Sequence, residues 1–219
     1  MVSRARRRLT AEERRAKILS AAVQALATDG YDRTSMDRIA ALSKVTKPVL
    51  YDHFPSKQAL FLTVLESIRD GLIAKGKAIA EAGDGPEQKF RRAVDAFLQF
   101  VEGQPDAARV LLMVPRGDTA AAKISREVQA GAAAGIAALL AAVIPGSPSW
   151  RRQAAAEFLK EGLHAVAEWW LENPGPSREE IVEVVAGLVW SGQRMKGHER
   201  NWRQRRFHVA AAMKERIHV

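Results

Sequence analysis

The chain has 219 residues, a formal net charge of +9 and no cysteine. Without cysteine it can form neither disulfides nor thiolate metal sites, which fits a reducing compartment such as the cytoplasm. No segment approaches the uninterrupted apolar length of a membrane span, and no apolar signal core follows the basic N-terminus, so we expect a cytoplasmic protein without a membrane partner.

The positive charge is concentrated at the two ends of the chain. Residues 1–57 carry 12 Lys and Arg against 6 Asp and Glu, and residues 196–219 carry 7 against 2. Residues 58–195, in contrast, carry 15 against 17. This distribution predicts a basic module for a polyanion and a near-neutral body with another role.

The first nine residues form a basic arm with four arginines between positions 4 and 8 and no apolar periodicity. Such an arm can follow phosphates or enter a minor groove, and it can equally be a solvated tail. Thr10 and Glu13 then form a capping-box pattern, which predicts a helix that runs to about Thr28. Gly30 is the predicted left-handed end of that helix.

Residues 34–60 have the pattern of two short helices, a tight turn and the start of a third helix. Thr34 and Asp37 form a capping-box pattern for the first of these helices. Thr46 precedes a second helix over 47–53. Proline in the first turn of this helix is tolerated, because the N–H that proline lacks would have no hydrogen-bond partner there. Short helices joined in this way form a helix-turn-helix unit, whose second helix enters the major groove of DNA.

The second short helix carries side chains that suit DNA. Lys47, Tyr51 and His53 can donate hydrogen bonds to phosphate oxygens or base edges, and Lys57 adds a further donor. Apolar side chains of the same helix can contact a thymine methyl. The alternative interpretation is an ordinary surface helix whose charged residues occur there by chance. The predicted DNA-contacting residues are Thr34, Ser35, Met36, Lys44, Thr46, Lys47, Pro48, Val49, Tyr51, His53 and Lys57.

The string VTKPVLYDHFPSKQALF, residues 45–61, resembles the recognition helix and following helix of the tetracycline-repressor (TetR) family. Residues 16–22, the Gly-Tyr pair at 30–31 and residues 34–40 resemble that family's first two helices. The resemblance covers residues 10–65 and implies a DNA-binding head, a ligand pocket in a helical body and a dimer formed by the last two body helices. At Lys44 the family usually has glycine, and in a left-handed conformation a non-glycine residue costs about 1 kcal/mol.

Beyond the head, glycine and proline divide a chain that is predicted to be helical throughout. Helices are predicted over 56–79, 86–103, 106–114, 119–144 and 149–173, and from 177 to about 195. Residues 198–219 have the pattern of a basic amphipathic helix. No run alternates like a strand, so the predicted fold is all-α: a basic arm (1–9), a three-helix DNA-binding domain (10–57), a ligand-binding and dimerisation domain (58–197) and a basic C-terminal segment (198–219).

The body contains many large apolar side chains, and most of them are expected to form its core. In helical bodies, ligands occupy largely apolar cavities between helices. The resemblance implies such a pocket without indicating its ligand. The predicted lining residues are Phe97, Val101, Met113 and Phe158.

Two helices of the body carry more apolar surface than one core can use. Trp169 and Trp170 are adjacent, so they cannot both point into the same core. A surplus apolar face on a soluble protein usually binds a partner, and a closed twofold pair is the common arrangement. The predicted homodimer interface consists of Ala155, Phe158, Gly162, Val166, Val185, Leu188 and Val189.

No enzymatic motif is found. The five histidines are scattered without zinc-ligand spacing, and there is no phosphate-binding glycine loop or nucleophile elbow, so neither a metal nor a cofactor is expected. The predicted function is sequence-specific regulation of transcription by a repressor that leaves a palindromic DNA operator on binding a small apolar or amphipathic effector. The alternative is a DNA-binding dimer without a ligand, whose body only dimerises or recruits a protein. A helical enzyme with a fortuitous basic end is a third, weaker hypothesis.

Overall fold

The computed structural model describes residues 10–113, 115 and 119–189, and all regular elements within them are helices, which confirms the predicted all-α class. The basic arm, the end of the last predicted helix and the basic C-terminal segment lie outside the described residues. The helices are α1 (Ala11–Arg33), α2 (Met36–Ser43), α3 (Lys47–His53), α4 (Lys57–Glu81), α5 (Pro86–Gly103), α6 (Pro105–Leu112), α7 (Thr119–Val143), α8 (Ser149–Glu172) and α9 (178–189).

Several helices begin at the side-chain caps that the sequence predicts. The Thr10 hydroxyl accepts the backbone N–H of Glu13 at 3.1 Å, and the Glu13 carboxylate accepts the N–H of Thr10 at 2.8 Å. Ser177 and Glu180 make the same reciprocal pair before α9, at 3.2 and 2.8 Å. The Ser56 hydroxyl accepts an N–H from the first turn of α4 at 3.1 Å. These caps pair N–H groups that have no partner inside their own helix.

Two helix starts differ from the prediction. Ser35, rather than Thr34, is the N-cap of α2, and its hydroxyl accepts the N–H of Arg38 at 3.2 Å. Thr34 is buried at the end of α1, where its hydroxyl donates to two carbonyl groups of that helix at 3.2 and 2.7 Å. Pro105 lies in the first turn of α6 instead of separating two helices. Proline has no backbone N–H, and an N–H in the first turn would have no partner within the helix, so α6 loses no hydrogen bond there.

Helices α1 to α3 and the first turns of α4 enclose a small hydrophobic core. Tyr31 and Phe61 meet in it with ring centroids 4.8 Å apart, and Leu50 anchors α3 with its side chain fully buried. Val110 of α6 is also fully buried in this core. The head is therefore packed directly against the body.

The body is built from the rest of α4 and from α5 to α9. Gly76 on α4 and Gly135 on α7 allow these two helices to approach closely, because a Cβ at either position would come within 2.7 Å of a leucine or isoleucine methyl. Arg178, at the start of α9, binds Asp95 and Glu102 of α5 at 2.8 and 2.7 Å. Charged contacts thus fix α9 on one side of the body, while close apolar packing joins α4 to α7.

Helix α7 is the one helix of the described residues long and apolar enough to cross a membrane, which differs from the expectation that no segment approaches such a length. A single helix of this kind is weak evidence for a span. Its packed side contributes Ala121 and Val128 to the core of the head, and Ala133 is also fully buried. Only 11% of the apolar window is buried, so most of this apolar surface is not used by packing within the described residues.

The turn between α2 and α3 contains a residue in a left-handed conformation. Lys44 has φ 54° and ψ 39°, at the position where glycine was expected, and its N–H bonds back to carbonyls of α2. For an L-residue other than glycine this conformation costs about 1–2 kcal/mol. The side chain is exposed, so a substitution here changes the backbone energy without disturbing a core.

We expect Lys44→Gly to raise the free energy of unfolding by up to about 1 kcal/mol, because relief of the strained φ outweighs the greater freedom of glycine in the unfolded chain. Urea titration followed by circular dichroism measures the change. Lys77→Gly, at an exposed position inside α4, is the control and should lower the free energy of unfolding by about 1 kcal/mol. A Lys44→Gly variant that is less stable than the parent would contradict the strain argument.

Candidate nucleic-acid interface and body cavity

The helix-turn-helix unit exposes six of the eleven side chains that the sequence predicts to contact DNA, and three of these six lie on α3. Tyr51 is 42% exposed, although it lies next to the fully buried Leu50. Val49 and His53 are half-buried, while Met36, like Thr34, is buried in the head. The exposed members of the predicted set are Ser35, Lys44, Thr46, Lys47, Pro48 and Tyr51.

The start of α3 is joined to the start of α2 by an exposed ion pair. Lys47 Nζ lies 2.7 Å from Asp37 Oδ1, and hydrogen bonding to this carboxylate raises the pKa of Lys47. Both side chains are more than half exposed, so the pair contributes little to stability. A DNA phosphate or a guanine edge can replace Asp37 as the partner of Lys47 at low cost.

Lys57 differs from the other predicted contacts because its ammonium group is bound within the head. Lys57 Nζ donates to the carbonyl oxygens of Tyr31, Asp32 and Thr34 at 2.9, 3.5 and 3.1 Å. It also lies 4.2 Å from the centre of the Tyr31 ring. These bonds satisfy carbonyls at the end of α1, and a phosphate contact by Lys57 would have to compete with them.

The body contains an elongated apolar cavity of about 190 Å³ between α4, α5, α7 and α8. It follows α4 from Arg69 to Ala80, a distance of about 16 Å at 1.5 Å per residue. Its apolar wall includes Leu72, Ile73, Ile79, Phe90, Val94, Phe97, Leu111, Val128, Ile136, Leu139, Leu140, Val143, Leu159 and Leu163. Such a shape fits a long apolar chain better than a compact polar molecule.

The charged groups that line the cavity are all cationic. Arg69 pairs with Asp70 at 2.8 Å, while Lys89 Nζ donates to a backbone carbonyl of α4 at 2.7 Å. No carboxylate belongs to the described lining of the cavity, which also includes Lys75 and Lys160. The uneven charge favours an occupant that combines an apolar chain with an anionic group.

Two polar side chains of α8 reach the cavity wall. Lys160 is buried and lies 3.0 Å from Glu157 and 3.1 Å from Glu161; burial lowers its pKa, but these two carboxylates outweigh that effect and raise it overall. Burial lowers the pKa of His164, so its imidazole is neutral at pH 7. His164 also stacks on Phe97 with ring centroids 6.0 Å apart.

Of the four side chains predicted to line a pocket, the structure places Phe97 in the cavity wall. Val101 is buried in the core of the body, and Met113 packs against the core of the head. Phe158 points outward and is 72% exposed. Helical periodicity identifies an apolar face but does not reveal which part of that face meets a core, a cavity or solvent.

The predicted dimer residues lie on α8 and α9, and the most apolar among them are exposed. Phe158 and Leu188 are 72% and 73% exposed, and Gly162 is exposed beside them. Trp169 is 49% exposed, whereas Trp170 is buried and donates its indole N–H to the carbonyl of Pro176 at 3.0 Å. The half-buried members of the predicted set are Ala155, Val166, Val185 and Val189.

The sequence did not single out Lys160 or Gln129 as cavity residues. A lysine with acidic residues at i−3 and i+1 resembles an ordinary solvated helix face, and only the packing of α8 shows that Lys160 is buried. Gln129 carries no distinguishing signal in an alanine-rich helix. The glycines at 76, 131 and 135 could have indicated that α4 and α7 pack closely around the cavity, since a glycine within a helix often marks the close approach of a neighbour.

Comparison with protein families gives two matches that together span most of the chain. The profile described as "Bacterial regulatory proteins, tetR family" matches residues 18–64, which contain α2 and α3. The profile "Tetracyclin repressor-like, C-terminal domain" matches residues 86–190. The first match covers the helix-turn-helix unit, and the second covers α5, α7 and α8, three of the four helices around the cavity.

Individual relatives agree with these matches. The HTH-type transcriptional activator FasR of Mycolicibacterium smegmatis is 30% identical over 190 residues, 84% of this chain and 85% of FasR. The nucleoid occlusion factor SlmA of Sodalis glossinidius is 33% identical over 103 residues, 47% of this chain and 52% of SlmA. The structure of the transcriptional regulator FadR from Bacillus subtilis, solved in complex with stearoyl-CoA, superposes with a TM-score of 0.69 at 16% identity, covering 81% of this chain and 98% of FadR.

We expect Lys47→Ala to weaken binding to a selected DNA site at least fivefold, since a lysine contact to a base edge is worth about 1–3 kcal/mol. Asp37→Asn should have the opposite effect, because it releases Lys47 from its ion pair. Fluorescence anisotropy at one fixed salt concentration measures both, with Lys77→Ala on α4 as the matched control. Unchanged affinity in Lys47→Ala and in Tyr51→Phe would exclude α3 as the recognition helix.

Proposed function

The chain belongs to the tetR family of bacterial regulatory proteins and is a DNA-binding transcriptional regulator, and we propose that it is a homodimeric repressor released from a palindromic operator by an amphipathic ligand. The family and the relatives described above are regulators rather than enzymes. The proposed repressor acts on DNA in the cytoplasm. The observation that carries the proposal is the combination of an exposed α3 with an apolar, cation-lined cavity in the body.

The proposed ligand has a long apolar chain and an anionic head. The chain would lie along α4 and α7 among the leucine, isoleucine and valine side chains of the wall. Lys75 and Lys89 lie towards the end of the cavity away from the head domain and can pair with phosphate or carboxylate groups. Stearoyl-CoA, the ligand named for FadR of Bacillus subtilis, has this chemistry. Long-chain acyl thioesters are therefore the first compounds to test.

The relatives also define the alternatives. SlmA is named for nucleoid occlusion, which favours the hypothesis of a DNA-binding dimer whose body recruits a protein or only dimerises. FasR is named as an activator, so ligand binding could strengthen DNA binding instead of weakening it. The cavity favours a ligand-responsive protein over a DNA-binding dimer without a ligand. Transcription from an operator-bearing promoter, measured with and without the protein, separates repressor from activator.

The proposed dimer forms through α8 and α9. Phe158, Leu188 and Val184 are exposed on these two helices at 72%, 73% and 62%. Pairing through a twofold axis would cover them and would place two copies of α3 on the same side of the assembly. Two heads related by a twofold axis require a palindromic site, with the recognition helices about 34–36 Å apart.

Helix α4 is the proposed lever between ligand and DNA. It begins at Lys57 in the head and continues along the cavity to Glu81, so one rigid element belongs to both regions. A small tilt at its cavity end would change the separation of the two recognition helices in a dimer. The ligand must bind the DNA-incompetent arrangement more tightly than the competent one, because otherwise it shifts no equilibrium.

We expect Phe158→Glu and Leu188→Glu each to shift the protein towards monomer, because a buried unpaired charge costs several kcal/mol. Sedimentation velocity measures the shift. Val184→Thr, a milder change on the same face, should remain dimeric. If both glutamate variants sediment as dimers, the interface lies elsewhere on the chain.

The proposed function is tested by reciprocal binding of operator and ligand. A site selected from random DNA serves as operator, and stearoyl-CoA serves as the ligand. We expect stearoyl-CoA to weaken operator binding by about 5- to 150-fold, and saturating operator to weaken stearoyl-CoA binding by the same factor.

Three outcomes would revise the proposal. Tighter operator binding in the presence of stearoyl-CoA would reverse the proposed response, because the ligand would then promote DNA binding instead of releasing the protein. Equal affinities with and without operator would show that this compound is not an effector. Absence of any acyl-thioester binding, combined with intact operator binding, would favour the dimer without a ligand.

A further inference from the structure

Helix α6 contributes adjacent residues to two different cores. Val110 is fully buried among residues of the head, including Ile18 and Phe61. Leu111, the next residue, is buried in the core of the body and also lines the cavity. A displacement of α6 therefore moves side chains in both regions at once.

The C-terminal end of α6 is held by one side chain of α7. Gln129 Nε2 donates to the carbonyl oxygen of Leu111 at 3.1 Å. That carbonyl is among the last four of α6, which have no partner within their own helix. Gln129 is itself part of the cavity wall, and its neighbour Val128 is buried in the core that contains Val110.

The amide of Gln129 is satisfied on one side only. Its Oε1 is buried and has no hydrogen-bond partner among the described residues. A buried amide that keeps a single hydrogen bond is held less firmly than one that makes several, so a modest displacement of the wall is enough to alter it. The other polar or charged side chains of the described lining are Arg69, Lys75, Lys89, Lys160 and His164.

We propose that Gln129 is a positioning residue that couples occupancy of the cavity to the head, by making α6 follow any movement of α7. The inference rests on the proposed ligand response and adds to it a second connection besides α4. An occupant that displaces α7 near Val128 moves the amide of Gln129, the amide moves the end of α6, and α6 moves Val110 in the head. The core that holds Val128 and Val110 also joins α7 to α6, so removal of the amide weakens this connection without abolishing it.

The test replaces the amide by an apolar group of similar size, Gln129→Met, with Gln129→Leu as a second variant should the first fold poorly. Gln153→Met makes the same change on the exposed side of α8 and is the control. Stearoyl-CoA affinity is measured with and without saturating operator for each protein. Because Gln129 lines the cavity, the affinity without operator can itself change, so the readout is the ratio of the affinity without operator to the affinity with it. We expect this ratio to fall from the range of 5–150 towards 1 in Gln129→Met and to stay at the parent's value in Gln153→Met.

A merely structural role would lower stability and leave this ratio unchanged, and an unchanged ratio would overturn the proposal.

A second measurement needs no ligand. Operator binding should alter hydrogen exchange of α7 amides around residues 128–136 in the parent and in Gln153→Met, and clearly less in Gln129→Met. If the parent fails to bind stearoyl-CoA, the proposed ligand class is wrong, and the exchange experiment still decides the role of Gln129. The same exchange response in all three proteins would exclude that role.

Discussion

The burial of α6 between two hydrophobic cores is the constraint on which the rest of the architecture depends. Val110 faces the head and Leu111 faces the body, so neither region can shift without changing the packing of the other. Close packing in protein interiors resists continuous deformation and tends to allow discrete arrangements. A DNA-binding head on a flexible tether would move independently of the body, whereas this head shares α4 and the packing of α6 with the body.

The distribution of polar groups follows the same division of tasks. On the surface of the head, Lys47 has an exposed and replaceable partner in Asp37, which suits exchange with a phosphate. Inside the head, the ammonium of Lys57 is held by three carbonyl groups and supports the fold. In the body, Lys160 is buried with two carboxylates as partners, so its charge is compensated before any ligand enters. Equal formal charges therefore lie in three different settings: an exposed pair on the proposed recognition helix, a hydrogen-bonded site inside the head and a buried site at the cavity wall.

The helices and most of their caps could be predicted from the sequence, because capping boxes, prolines and glycines act over three or four residues. The residues of the cavity could not, since Phe97 and Val101 share a helix and an apolar character but meet different neighbours. Thr34 and Ser35 show the same limit on a smaller scale: both can cap a helix, and the packing of Thr34 against α1 decides between them. Local chemistry determined the elements, and long-range packing determined which side chains face the cavity.

If the exposed apolar strip on α8 and α9, which includes Phe158 and Leu188, forms the proposed dimer, it also affects how the regulator responds to its own abundance. If only paired chains bind an operator, then at low expression the active species increases with the square of the chain concentration, so doubling synthesis raises it about fourfold. Such a protein is nearly silent below a threshold of expression and becomes active over a narrow range above it. The hydrophobicity of this strip sets where the threshold lies, independently of how tightly each head binds its half-site.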